Sequence, residues 1–217
     1  MPSSDFVKKF FNERAVQFKD SIQTLDWGSK RTQWIRFHVL SEIGNLNGCS
    51  ILDIGCGFAD FFDFLQERGI EIGKYTGLEI SDKIFEMTRA MRPELDIRKL
   101  DILEEDVEPY DYVFGSGIHY LKTRDNYKRT GSLLRKMYKI CNKGVATNMI
   151  SFNAHSDQLA KHVFAYDSAT VLKIAKEISP YSILRHDYLP QDFSIYLYKD
   201  DWAERNSGVS STLRKDV

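Results

Sequence analysis

The chain reads as an α/β protein with a mostly parallel sheet and helices on both faces, and three observations predict this. Short β-rich runs alternate with longer helical segments along most of the 217 residues. The first apolar strand breaks into a glycine turn that opens a helix, the join found where such sheets bind ligands. Composition is close to globular averages, with 42% hydrophobic and 28% charged residues. The length suits a single domain, with amino-terminal helices over 1–45, a core over 46–199 and a polar tail over 200–217.

Taken in order, residues near 4 to 18 form a first helix with Phe6, Phe10, Phe11 and Val16 on its apolar side. Ser29 has the chemistry of an N-cap for a second helix, which Gly44 and Asn45 end. Strand one is Ser50 to Ile54, and a helix follows its glycine turn to about Gly69. Strand two is Tyr75 to Ile80, with Ser81 capping a helix that stops before Pro93. A short third strand lies around Asp96 to Leu100, and Tyr110 to Phe114 is the fourth. A long helix spans about Arg124 to Ile140, and Gly144 to Ser151 is strand five. The polar and aromatic segment Phe152 to Asp167 precedes a helix at about Ser168 to Ile178. Tyr181 to Tyr188 and Phe193 to Tyr198 then flank the Pro190 loop as an antiparallel pair.

The turn Asp53-Ile54-Gly55-Cys56-Gly57-Phe58-Ala59-Asp60 carries the chemistry. Gly55 and Gly57 let the backbone approach a ligand closely. A dinucleotide fingerprint places a further glycine where Asp60 stands, and a carboxylate against a pyrophosphate would be repulsive. Flanked by Asp53 and Asp60, the turn suits a cofactor carrying positive charge. Glu79 ends strand two about twenty residues on, the distance at which a carboxylate meets ribose hydroxyls.

This combination resembles motif I of the class I S-adenosylmethionine-dependent methyltransferases, (D/E)-x-G-x-G, with Ala59 where the family usually has another glycine. The resemblance covers roughly residues 27 to 199. It implies a Rossmann-like sheet of seven strands, with only the last antiparallel and inserted beside the fifth, and S-adenosylmethionine as cofactor. By the same resemblance, Asp53, Gly55, Cys56 and Gly57 form the cofactor turn, and Glu79 and Ile80 meet the ribose. Asp101 and Ile102 meet the adenine, and Ser116 and Gly117 face the methionine part. The Trp27-Gly28-Ser29 segment with Gln33 and Arg36-Phe37 is similar to one preceding motif I in some bacterial small-molecule methyltransferases, where Arg36 or Gln33 would bind the methionine carboxylate. The sequence Gly115-Ser116-Gly117-Ile118-His119-Tyr120 departs from the (D/N/S)-P-P-(Y/F) of nucleobase amine methyltransferases and disfavours such a substrate.

Methyl transfer needs a base only when the nucleophile arrives protonated, and histidine suits that role near neutral pH. His119 follows strand four closely, and His155 lies in the segment expected to wall the acceptor, so these two are the candidate bases. With Tyr120, Phe152, Phe164, Tyr166, Asn153 and His162 they suggest a pocket for a small polar acceptor, with O-methylation preferred. Similarity of the 27–37 and 184–190 segments to bacterial glycan and specialised-metabolite methyltransferases points the same way.

Net charge is −1, which gives no bulk drive toward nucleic acid. Arg124, Lys128, Arg129, Arg135, Lys136 and Lys139 crowd one helix, a pattern of a solvated face; a protein or RNA methyltransferase reading its substrate there is the alternative. A noncatalytic cofactor-binding partner subunit is another. No apolar run approaches the roughly 18 to 20 residues of a membrane span, and no signal pattern opens the chain. Cys49, Cys56 and Cys141 show no metal spacing and fit reduced thiols, so a cytoplasmic, metal-independent protein is expected.

Overall fold

In the computed structural model, which describes residues 4–153 and 159–206, the chain runs α1 (Ser4–Phe18), α2 (Lys30–Ser41), β1 (Ser50–Ile54), α3 (Asp60–Glu67), β2 (Lys74–Glu79), α4 (Asp82–Met91) and β3 (Asp96–Lys99). It continues with β4 (Tyr110–Gly115), α5 (Asn126–Ile140), β5 (Cys141–Ile150), α6 (Ser168–Lys176), β6 (Ser182–Leu189), β7 (Asp192–Tyr198) and α7 (Trp202–Arg205). One sheet takes the order β3-β2-β1-β4-β5-β7-β6. The β3-β2-β1-β4-β5 ladder is parallel, and β7 inserts antiparallel to both β5 and β6. The strand order therefore reverses at β1, which opens a crevice at the carboxyl ends of β1 and β4.

Period-2 alternation sends successive side chains to opposite layers. In β7, Tyr196 and Tyr198 join Phe37, Leu40, Phe61 and Phe64 from α2 and α3. Phe193, Ile195 and Leu197 join Leu133, Leu134, Met137 and Val171 from α5 and α6. Every residue of β7 is buried, as befits an interior strand covered on both faces. A third cluster of Ala15, Phe58 and Ile84, with Phe11 and Leu25 against it, seats α1 on α4.

The helix starts follow from side-chain caps. Ser29 accepts from the Thr32 amide, Ser81 from Ile84, Asp125 from Lys128 and Asp167 from Thr170. Differences from expectation are local. On α1, Phe6 and Val16 face solvent at 42% and 72% exposure, so the apolar side is narrower than the phenylalanine spacing implies. Strand β5 begins at Cys141 because it pairs with Tyr110 and leaves α5 without an intervening loop. The expected tail includes α7, where Arg205 lies 3.5 Å from the Tyr198 ring centroid. Among the described residues, no helix is long and apolar enough to cross a membrane.

Ala59 carries more constraint than its size suggests. It stands just before α3 at φ 62°, fully buried, in the left-handed region that favours glycine. This gives a backbone reason for glycine at the corresponding motif position. Ala59→Val should therefore cost about 2–4 kcal/mol through the branched side chain at positive φ and the lack of space, read as a lower urea midpoint. An unchanged midpoint would contradict this account of the turn.

Candidate functional site

The turn after β1 is fastened to the end of β2. The Gly55 and Cys56 amides both donate to the Leu78 carbonyl, at 2.8 and 3.0 Å. The Gly57 amide donates to Glu79 Oε2 at 3.2 Å, and Thr88 Oγ1 donates to the Gly57 carbonyl at 2.8 Å. Both glycines have positive φ, and a Cβ would stand 2.6 Å from Ile118 at Gly55 and 2.8 Å from Leu25 at Gly57. Only glycine lets the turn lie this close to the two loops that cross it.

Above this turn lies a cavity of about 440 Å³, within the range of small-ligand sites. All the residues expected to touch the cofactor line it: Gln33, Arg36, Asp53, Gly55, Cys56, Gly57, Glu79, Ile80, Asp101, Ile102, Ser116 and Gly117. Asp53 accepts from the Tyr75 hydroxyl at 2.7 Å. Glu79 Oε1 accepts from the Ser81 amide at 2.8 Å, so both of its oxygens are held by backbone donors, and the carboxylate retains acceptor capacity for a ligand. Asn148 accepts from the Gly117 amide at 2.9 Å and donates to Ser116 Oγ at 3.3 Å, setting the loop after β4. Gln33 donates to Asp60 at 3.0 Å, leaving its own Oε1 buried without a partner; Asp101 Oδ2 is left likewise. Buried orphan acceptors are costly unless a ligand supplies donors. An amino group at each point, as on an adenine and on the methionine part of S-adenosylmethionine, fits these acceptors.

Other residues sit differently from their sequence reading. The Arg36 guanidinium pairs with Asp192 at 2.6 Å and lies 4.9 Å from the Trp27 ring centroid, so one of its donors is already committed. His119 is 2% exposed, and the cavity wall includes its neighbours Ile118, Tyr120 and Leu121 but not His119 itself. Its Nδ1 lies 3.2 Å from Thr130 Oγ1, and Tyr166, which bonds Thr130, donates to the His119 carbonyl at 2.9 Å. Burial, with Arg129 adding repulsion, holds its pKa down to about 3. This placement leaves His119 a poor proton acceptor: it is buried beside Thr130 and off the cavity wall, which Tyr120 reaches. His155, with Ser156 and Asp157, lies outside the described residues.

Among the polar cavity residues that escaped the sequence reading of the site are Asp26, Arg129, Asn148 and Asp192. Arg129, taken as part of a solvated basic face, is half-buried and lines the cavity. The available signal was its place one turn before Leu133 on the same helix face. A polar Asn148 within an apolar strand run was a second signal. Asp26, in the turn after α1, has φ 59° and binds Arg14 and His162, each at 2.8 Å.

The carboxylates dominate the electrostatics. Burial pushes Asp53 up to about 7 against the opposing hydrogen bond from Tyr75, and burial likewise raises Glu79 to about 7 against the amides of Ser81 and Gly57. The Cys56 thiol is pushed up by burial and by these two acids. Both carboxyls bind protons more tightly folded than unfolded. Between about pH 4 and pH 7 the native state thus holds more protons, and stability falls as pH rises through that window. Replacing the pair as Asp53→Asn with Glu79→Gln should flatten the decline in urea midpoint between these limits. A slope unchanged by the double substitution would show that these carboxyls titrate normally.

No protein-family model matches the chain. Over 110 residues it is 26% identical to the demethylmenaquinone methyltransferase of Lactococcus lactis subsp. lactis (strain IL1403), a match taking in 51% of this chain. The match spans 43% of that relative, less than half its length. Among solved structures, the fold is similar to magnesium protoporphyrin IX methyltransferase (ChlM) from Synechocystis PCC 6803 with bound SAH, at TM-score 0.65 and 13% identity over 91% of this chain and 99% of that one. A SAM dependent methyltransferase from Archaeoglobus fulgidus gives TM-score 0.59 and 18% identity over 79% of this chain and 95% of that one. With the strand order and the inserted antiparallel β7, these likenesses give the chain the Rossmann-like fold of the class I S-adenosylmethionine-dependent methyltransferases.

Proposed function

We propose that the chain is a cytoplasmic enzyme that transfers a methyl group from S-adenosylmethionine to a small-molecule acceptor, an oxygen nucleophile being preferred. The observation that carries this reading is the shared cavity. The wall that holds Asp53, Glu79, Asp101 and Gly117 also holds side chains outside the set expected to touch the cofactor: Val7 and Phe11 of α1, Leu25, Tyr120, Leu159 and Val163. Donor and acceptor would meet in one enclosure, where alignment and exclusion of water do most of the work.

When bound, S-adenosylmethionine supplies an electrophilic methyl on a sulfonium. Glu79 would accept from the ribose hydroxyls, Asp101 from the adenine amino group, and Gln33 Oε1 from the methionine amino group. Beside these side chains the wall carries Asp26, Gln191 and Asp192, of which Asp26 is paired with Arg14 and His162 and Asp192 with Arg36. A hydroxyl acceptor must release its proton. His119 is badly placed for this, which leaves His155 as the candidate histidine base.

The α5 cations support a small acceptor over a polyanion. Lys136 pairs with Asp106 at 2.6 Å and Arg135 with Glu177 at 3.4 Å, so part of the basic face is neutralised within the chain. A role in glycan or specialised-metabolite biosynthesis rests on the resemblance of the 27–37 and 184–190 segments.

The test is transfer of radiolabelled methyl from S-adenosylmethionine to a panel of hydroxyl acceptors, amines and, after the curated relative's name, demethylmenaquinone. Label is expected on hydroxyl acceptors, and Glu79→Gln should lower kcat/KM for the cofactor by roughly ten-fold or more. Label confined to amines would overturn the oxygen preference, and turnover insensitive to Glu79→Gln would overturn its ribose role.

A further inference from the structure

Arg129 is a half-buried cation in the cavity wall, and among the described residues no hydrogen bond or ion pair engages its guanidinium. That is an expensive arrangement, because a desolvated charge needs a partner. Burial lowers its pKa, and the opposing attractions come from Asp101 and the more weakly acting Tyr166. Asp101 does not close a salt bridge with it. Oδ1 of Asp101 accepts from the Leu103 amide at 3.0 Å, and Oδ2 stays buried without a partner.

The surroundings narrow what could cover this cation. Leu100 and Ile102, which flank Asp101 in sequence, line the same cavity, as does Leu133, which shares the Arg129 face of α5 one turn on. The part of the cavity near Asp101 therefore offers apolar surface, one orphan acceptor and one planar cation. A flat π-system with an amino group on its edge meets all three, the amino group donating to Asp101 Oδ2 and the face taking the guanidinium. An anionic ligand would satisfy Arg129 but would be repelled by Asp101.

We infer that Arg129 binds the purine of the cofactor, its guanidinium stacked on the adenine face while Asp101 takes the exocyclic amino group. This rests on the reading of the cavity as an S-adenosylmethionine site. It makes α5 a part of the cofactor site through a side chain that the sequence placed on a solvated surface. It also accounts for retaining a cation that disfavours protonation of the buried His119.

Calorimetry on the intact protein separates the possibilities, using S-adenosylhomocysteine, 5′-methylthioadenosine, which keeps the purine and ribose but lacks the amino acid, and inorganic phosphate. Arg129→Ala should weaken the first two ligands by the same factor, roughly ten-fold, while Arg129→Lys, which keeps charge but loses the planar surface, should recover only part of it. The wild-type protein should give no heat with phosphate. Equal affinity of wild type and Arg129→Ala for 5′-methylthioadenosine, or a loss confined to S-adenosylhomocysteine, overturns the inference. So does phosphate binding that disappears in Arg129→Ala. Failure of the wild type to bind S-adenosylhomocysteine would instead overturn the underlying site assignment. An unchanged urea midpoint in Arg129→Lys confirms that affinities are read on folded protein.

Discussion

The attachment of the Gly55–Gly57 turn to the end of β2 is the constraint on which the rest of the site depends. Three backbone amides of this turn are spent on β2, two on the Leu78 carbonyl and one on the Glu79 carboxylate. The same carboxylate accepts from the Ser81 amide, and Ser81 then caps α4. A single side chain thus ties the β1 turn, the end of β2 and the start of α4 into one rigid edge. The cavity opens on that edge, so the positions of Asp53, Glu79 and the glycine backbone are fixed before any ligand arrives, which limits the ordering cost of binding.

The edge is also where the chain stores unfavourable electrostatics. Asp53 and Glu79 are 3% and 5% exposed, and neither forms an ion pair among the described residues. Their raised pKa values reflect that burial. The orphan oxygens of Gln33 and Asp101 add to the same imbalance. A fold selected for stability alone would pair or expose such groups. Unpaired carboxyls around a cavity are consistent with a ligand that brings donors and positive charge.

Much of this was legible because it rests on local chemistry. Strand-to-turn joins, serine caps and the alternation of β7 follow from residue type and period, and so the elements and the turn at Asp53–Gly57 could be anticipated, whereas the sheet order was available only as an implication of the resemblance to class I methyltransferases. The Arg36–Asp192 pair was hidden because it joins α2 to a strand 156 residues later. His119 was misjudged for a different reason. Proximity in sequence to the end of β4 brings it near the cavity, but its ring lies on Thr130 and its carbonyl takes the Tyr166 hydroxyl, contacts that no spacing rule supplies. Arg129 was obscured by its basic neighbours, of which Arg124, Lys128, Arg135 and Lys139 are exposed.

Calorimetric titration of the purified protein with S-adenosylmethionine and S-adenosylhomocysteine, with NAD as the control, tests the central claim most directly. The account predicts micromolar binding of the first two and none of NAD. Binding of NAD alone, or no binding of either sulfur ligand, would contradict it.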